Sequence, residues 1–289
     1  MSTCPAPRRV FCRLLYSLAG LLLLAGQVHA QPVSPALTIG VLPNVSARVL
    51  ISAYQPMREY FERELQRSAE IVTAPDFRAF SERALRGDYQ LMVTAPNLGR
   101  VAQLDAQWEL LAVYEPRIPA LVVASADNLD SSATQLRGKA LAMANPQSLV
   151  ALVALDWLQQ QGLRAGSDFR TVLSPNDDSL GAVLKSGEAP WAIMSMGEFR
   201  AKPEALRNGL RIVTEIARVP GFFVMANPSL PVAQRQRLKS LILGFPATED
   251  GKKFLALSGF SAIREATEAD LRFLDPFIDA TRKGLGSRP

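Results

Sequence analysis

"MANPQSLVALVALDWLQQQG" (residues 143–162) is the stretch that decides the fold. Asn145-Pro146-Gln147-Ser148 separates a strand-length apolar run, Lys139 to Met143, from a helix-length one, Leu149 to Gln161, which Gly162 stops. A strand that passes through a short polar loop into a helix is the building unit of a parallel α/β sheet. Asn145, Gln147 and Ser148 then have two candidate duties: starting their own helix, or holding something from outside the chain.

Working outward, the same unit recurs. Phe169 to Leu173 is a strand, Ser174 to Ser179 opens a helix ending near Gly187, and Trp191 to Met194 is the next strand. Upstream, Ala36 to Leu42 is a strand. Pro43-Asn44-Val45-Ser46 follows it, then a helix from Ala47 to about Leu65 with Leu50, Tyr54, Met57, Phe61 and Leu65 near one face. Glu70 to Thr73, a helix from Phe77 to Leu85, and Tyr89 to Val93 leading into Thr94-Ala95-Pro96-Asn97 complete that half. "DFRAFSERALRGDYQLMV" (76–93) and "DDSLGAVLKSGEAPWAIM" (177–194) share one pattern of helix, glycine and apolar strand. Two copies predict two α/β lobes, each a mainly parallel sheet flanked by helices. Ile118 to Ser125 and Gly221 to Met225 are apolar runs placed to cross between them as hinge strands. The expected division is 37–121 plus 223–289 for the first lobe and 122–222 for the second. Helices at 232–243, 248–257 and 268–283 should pack back on the first lobe, the last one kinked or broken at Pro276.

Residues 1–30 have the form of an export signal. Arg8, Arg9 and Arg13 precede the apolar stretch Leu14 to Gly26, and Val28-His29-Ala30 offers a cleavage site before Gln31. The apolar stretch is short of the roughly 20 residues that a spanning helix needs. Arg8-Arg9-Val10-Phe11 also resembles a twin-arginine signal, but early arginines serve a Sec signal equally well. Cleavage after Ala30 and a periplasmic location are the expectations.

Removing that segment empties the chain of nucleophile chemistry. His29, Cys4 and Cys12 are its only His and Cys residues, so the remainder holds no disulfide, no Cys or His zinc site and no Ser-His or Cys-His catalysis. No cofactor, no metal and no enzymatic activity is expected. Three of the 32 Lys and Arg lie in the leader, against 27 Asp and Glu elsewhere. The rest is therefore nearly neutral, and its basic residues are dispersed, which speaks against nucleic acid as a partner. A monomer is the default.

In an open α/β sheet, ligands sit outside the carboxyl ends of the strands. The residues predicted there are Asn44, Ser46, Thr94, Asn97, Asn145, Gln147, Ser148, Asn176, Ser179 and, beside the returning strand, Phe222. Asn, Ser, Thr and Asp are also the favoured helix N-caps. As a set facing one gap, they would aim helix N-termini, with their free N–H groups and partial positive charge, at an oxyanion. Such a site implies that a bulky apolar residue at Ser148 weakens ligand binding and leaves the melting temperature nearly unchanged.

"LTIGVLPN" (37–44), "PMREYFEREL" (56–65), "RALRGDYQLMVTAP" (83–96), "LRGKALAMANPQS" (136–148) and "VPGFFVMANPSLP" (219–231), in this order, resemble the phosphate/phosphite/phosphonate ABC-transporter substrate-binding proteins. "ATEDGKKFLALSGFSAIREATEADLRFL" (247–274) is similar to their C-terminal part. The resemblance implies a type II periplasmic-binding-protein fold that closes on a small anion and delivers it to an ABC permease. A membrane signalling receptor is the alternative partner. It also shows departures. The family's Asp-Pro-x-Ser-Thr-Ser-Gly loop corresponds to Asn145-Pro146-Gln147-Ser148-Leu149-Val150-Ala151, which keeps Ser148 but replaces the next hydroxyl by Leu149. A ligand-binding tyrosine falls near Thr94, a histidine near Asn176, and the acid that holds a ligand's ammonium falls near Phe222. These losses argue against an aminoalkylphosphonate as ligand.

Overall fold

The computed structural model describes residues 35–173 and 177–286; the expected leader, Asn176 and the last three residues lie outside them. The first sheet begins with β1 (Leu37–Val41), β2 (Ala69–Val72) and β3 (Leu91–Thr94), paired in parallel with β1 in the middle. Helix α1 (Ala47–Leu65) covers one face through Leu50, Tyr54, Met57 and Phe61, as the periodicity predicts. Helix α2 (Phe77–Leu85) covers the other face; Asp76 caps it by accepting from the Ala79 N–H at 2.7 Å. Helix α3 (Pro96–Ala106) leaves the end of β3.

Three strands were not expected from the sequence. β4 (Glu109–Glu115) and a short β11 (Ala262–Arg264) extend the first sheet, whose order is β11-β4-β10-β3-β1-β2, with β10 spanning Phe223–Ala226. The second sheet runs β7-β6-β8-β5-β9. Here β5 is Ile118–Ser125, β6 Ala140–Met143, β7 Arg170–Leu173, β8 Trp191–Ser195 and β9 Leu210–Val219. The repeated units give two parallel pairings in each sheet; the added strands give three antiparallel pairings in the first sheet and two in the second. All of β5, from Ile118 onward, belongs to the second sheet. β9 escaped detection because it is an edge strand with Arg211, Glu215 and Arg218 breaking its apolar pattern.

The chain crosses between sheets at Pro116–Arg117 and at Pro220–Phe222. These crossings lie side by side: the Tyr114 N–H donates to the Phe222 carbonyl at 2.9 Å, and Arg117 Nε donates to the Arg218 carbonyl at 3.0 Å. Gly221 lets them touch, since a Cβ there would lie 2.1 Å from the Tyr114 carbonyl oxygen.

Helix α4 (Leu149–Gln160) packs on the second sheet, and α5 (Asp177–Lys185) follows β7. Past the short helices α6 (Met196–Ala201) and α7 (Glu204–Arg207) come α8 (Val232–Gly244), α9 (Glu249–Ser258), α10 (Glu268–Arg272) and α11 (Ile278–Leu285). Pro276 falls in a 3₁₀ turn, Asp275–Phe277, so the break occurs where proline chemistry places it. The C-terminal segment does more than return to the first lobe. α11 meets α2 and α3, but the turn before it meets α4 of the second lobe. One apolar cluster runs from Met92, Val113 and Phe223 of the first sheet through Leu274 and Leu285 to Val122, Leu141 and Ile193 of the second. Full burial of one leucine such as Leu274 contributes about 2 kcal/mol, so this segment is a third, apolar connection between the sheets.

Candidate functional site

Strand register places the candidate loops. Val41 pairs with Val93, and Thr94 with Phe223, so the exits of β1 and β3 and the entry to β10 share one edge of the first sheet. In the second sheet Met143 pairs with Leu173 and Ile193, and Ser195 with Ala120, which aligns the exits of β6, β7 and β8 in the same way. The two edges meet. Asn97, 2% exposed, donates from Nδ2 to the Gln147 backbone carbonyl at 3.0 Å. Thr94–Asn97 and Asn145–Ser148 therefore converge.

Each predicted residue whose side chain is described has a definite place. Asn44 and Ser46 are exposed after β1, and Ser46 stands at the start of α1 without capping it through its hydroxyl. At α3 the cap position is Ala95, followed by Pro96, so no side chain satisfies the first amides of that helix. In the second lobe Asn145 and Ser148 are committed locally, whereas Gln147 is not. Asn145 Oδ1 accepts from the Gln147 N–H at 2.8 Å. Ser148 Oγ accepts from the Ala151 N–H at 3.2 Å and donates to the Asn145 carbonyl at 2.9 Å. Gln147 Nε2 donates to the Gly284 carbonyl of α11 at 2.6 Å. Thr94 lines a small cavity of about 30 Å³ together with Phe80, Met92, Leu98 and Leu285, and its buried hydroxyl has no partner among the described residues. Phe222, at the second crossing, packs edge-on against Tyr114 and Phe260. Asn176 lies outside the described residues, as does the side chain of Ser179 in α5.

The capping bond at Ser148 revises the expectation of a nearly unchanged melting temperature. Ser148→Ala should lower stability by about 1 kcal/mol, the usual loss for an N-cap hydroxyl. A denaturant titration with unchanged midpoint would show the bond to be idle.

The charged side chains beside the convergence are paired, Arg282 of α11 with Asp105 of α3 among them. Arg100 donates from Nη1 to Gln103 and pairs through Nη2 with Asp275 at 3.2 Å, while its buried Nε has no partner among the described residues. Burial pushes the phenols of Tyr54 and Tyr114 above their ordinary range, Tyr114 being raised further by its neighbour Tyr54; both stay neutral. At the crossings, Glu115 and the buried Asp270 are both bound to Arg264. Among the described residues no three His, Cys, Asp or Glu side chains gather as a metal site. The sequence reading missed Thr281 and Gly284, which reach the site from the far end of the chain. Nothing local marks them, because their role follows from where α11 docks.

Two α/β lobes with matched strand order, joined at two adjacent crossings and meeting through their strand-to-helix loops, define a type II periplasmic binding protein. The chain belongs to the periplasmic substrate-binding proteins of phosphonate ABC transporters, a family that matches residues 39–271. Among solved structures it is similar to XAC2383 from Xanthomonas citri bound to chloride ion, at TM-score 0.73 and 20% identity, over 87% of this chain and 99% of that one. PhnD1 from Prochlorococcus marinus in complex with methylphosphonate gives TM-score 0.75 at 14% identity, over 88% and 99%. The periplasmic aliphatic sulphonate binding protein SsuA from Escherichia coli gives 0.65 at 14%, over 89% and 95%. At these identities the likeness is one of fold. No curated protein matches the chain in sequence.

Proposed function

We propose that this protein captures a small oxyanion, of the phosphonate or phosphate type, between the carboxyl edges of its two sheets and hands it to an ABC permease. The observation that carries this reading is the Asn97–Gln147 contact, which brings the loops of both lobes together beside a helix, α3, whose N-terminus no side chain caps. Free helix amides and their partial positive charge favour an anion without any lysine or arginine. The lobes, divided at the two crossings, would close around the guest. Export through the Sec route, removal of residues 1–30 and a monomeric state complete the proposal, which the family's printed description as phosphonate transporter proteins and the methylphosphonate and sulphonate named for its structural neighbours support.

Native mass spectrometry of protein purified from the periplasm, followed by calorimetry with phosphate, methylphosphonate and sulfate, tests it. Binding of none of the three, with no copurifying anion, would remove the reading. Within it, 2-aminoethylphosphonate should bind at least about tenfold more weakly than methylphosphonate. Phe222 offers an ammonium no carboxylate, and the nearby Glu115 and Asp270 are held by Arg264; one lost charged hydrogen bond costs about a factor of ten or more. Equal affinities would contradict that assignment.

A further inference from the structure

Thr281 is a buried polar residue far in sequence from every candidate loop. It is 1% exposed. Its hydroxyl donates to the Phe277 carbonyl, one helical turn back, at 2.7 Å and accepts from Asn97 Nδ2 at 3.1 Å. Asn97 Nδ2 thus faces two acceptors, the Thr281 hydroxyl and the Gln147 carbonyl, and this fixes which way the amide points. Three residues further along the same helix, the Gly284 carbonyl accepts from the Gln147 side chain at 2.6 Å. The helix runs so close to the loop that a Cβ on Gly284 would lie 3.3 Å from Gln147 Cγ. One loop of the second lobe is therefore tied twice to α11: directly through Gly284, and through Asn97 to Thr281.

We infer that Thr281 is a positioning residue for the interlobe site: it orients the Asn97 amide, which holds the Gln147 carbonyl and with it the 145–148 loop that opens α4. The inference rests on the anion-binding reading above for its functional consequence. Thr281 touches no guest and acts through Asn97. A merely structural alternative exists, because a threonine hydroxyl bonded to the carbonyl one turn back is a common local arrangement in helices. The two differ in what they do to residues 145–151. Only the positioning role transmits a change at 281 to that loop.

Thr281→Val keeps the shape and branching of the side chain and removes the acceptor; Thr281→Ser keeps the acceptor. Amide hydrogen exchange on the full chain without ligand, and calorimetry with inorganic phosphate and methylphosphonate, read the outcome. One net hydrogen bond corresponds to about a three- to tenfold change in an equilibrium. Exchange of the 145–151 segment should accelerate by about that factor in the valine variant. Affinity for whichever probe the wild type binds should fall likewise, and the serine variant should recover both. Unchanged exchange in 145–151, or acceleration spread evenly over both lobes, overturns the inference. If the wild type binds neither probe while the local exchange responds, the positioning of the loop stands and the anion reading falls.

Discussion

Asp270→Asn is expected to lower the melting temperature by roughly 10 °C at neutral pH. Asp270 is 1% exposed and accepts from Arg264 at 2.8 and 3.2 Å, and from the Thr267 N–H and hydroxyl at 2.8 Å each. Arg117, on the first crossing, stands 3.7 Å from it and lies over the Phe273 ring. This carboxylate fastens the C-terminal segment to β11 and to the hinge. Breaking such a buried pair costs about 3 kcal/mol, and at this chain length each kcal/mol shifts the melting temperature by about 2–4 °C. Burial alone would raise the Asp270 pKa, but the bonds from Arg264 and Thr267 outweigh it and hold the group at about 2. A depressed carboxyl stabilises the fold fully above its unfolded value near 3.8 and ceases to as the pH falls toward 2. The span corresponds to roughly 2–3 kcal/mol. Melting curves of wild type and variant should converge as the pH is lowered from 6 to 2. Parallel curves would show that the carboxylate is not held in this way.

Gly221→Ala should be nearly as damaging and should also impair binding. The new Cβ would meet the Tyr114 carbonyl oxygen at 2.1 Å and its carbon at 2.9 Å, both backbone atoms in the neighbouring crossing. A flexible side chain could move aside; a backbone paired through Tyr114 N–H to Phe222 cannot do so without spreading the hinge. Overpacking of this kind costs about 3 kcal/mol. Because the strain falls where the chain passes between lobes, ligand affinity should drop at least about tenfold, even at temperatures where the variant is fully folded. A variant that melts early but titrates like the wild type would locate the hinge elsewhere.

Much of the fold was legible because it is written in local periodicity. The α1 helix, Ala47–Leu65, and α2, Phe77–Leu85, lie where their apolar spacing and, for α2, the following glycine place them. Pro276 breaks the last helix for a reason internal to one residue. β4, β9 and β11 were missed because their pattern is imposed by neighbours. β9 is half exposed at a sheet edge, and β11 has three residues that gain their strand geometry from β4.

At the candidate site the polar loops were legible, but the duty of each side chain was not. Ser148 and Asn145 turn inward to their own backbone, whereas Asn97 and Gln147 reach across. All four carry groups able to do either, and only the packing of distant segments selects between them. By itself the sequence determined the two repeated α/β units and the polar character of the loops, since each depends on residues within a few turns of one another. The tertiary structure alone decided that α11 would dock against α3 and the 145–148 loop, and so bring Thr281 to Asn97. Contacts across 184 residues depend on how whole elements stack, which no local pattern records.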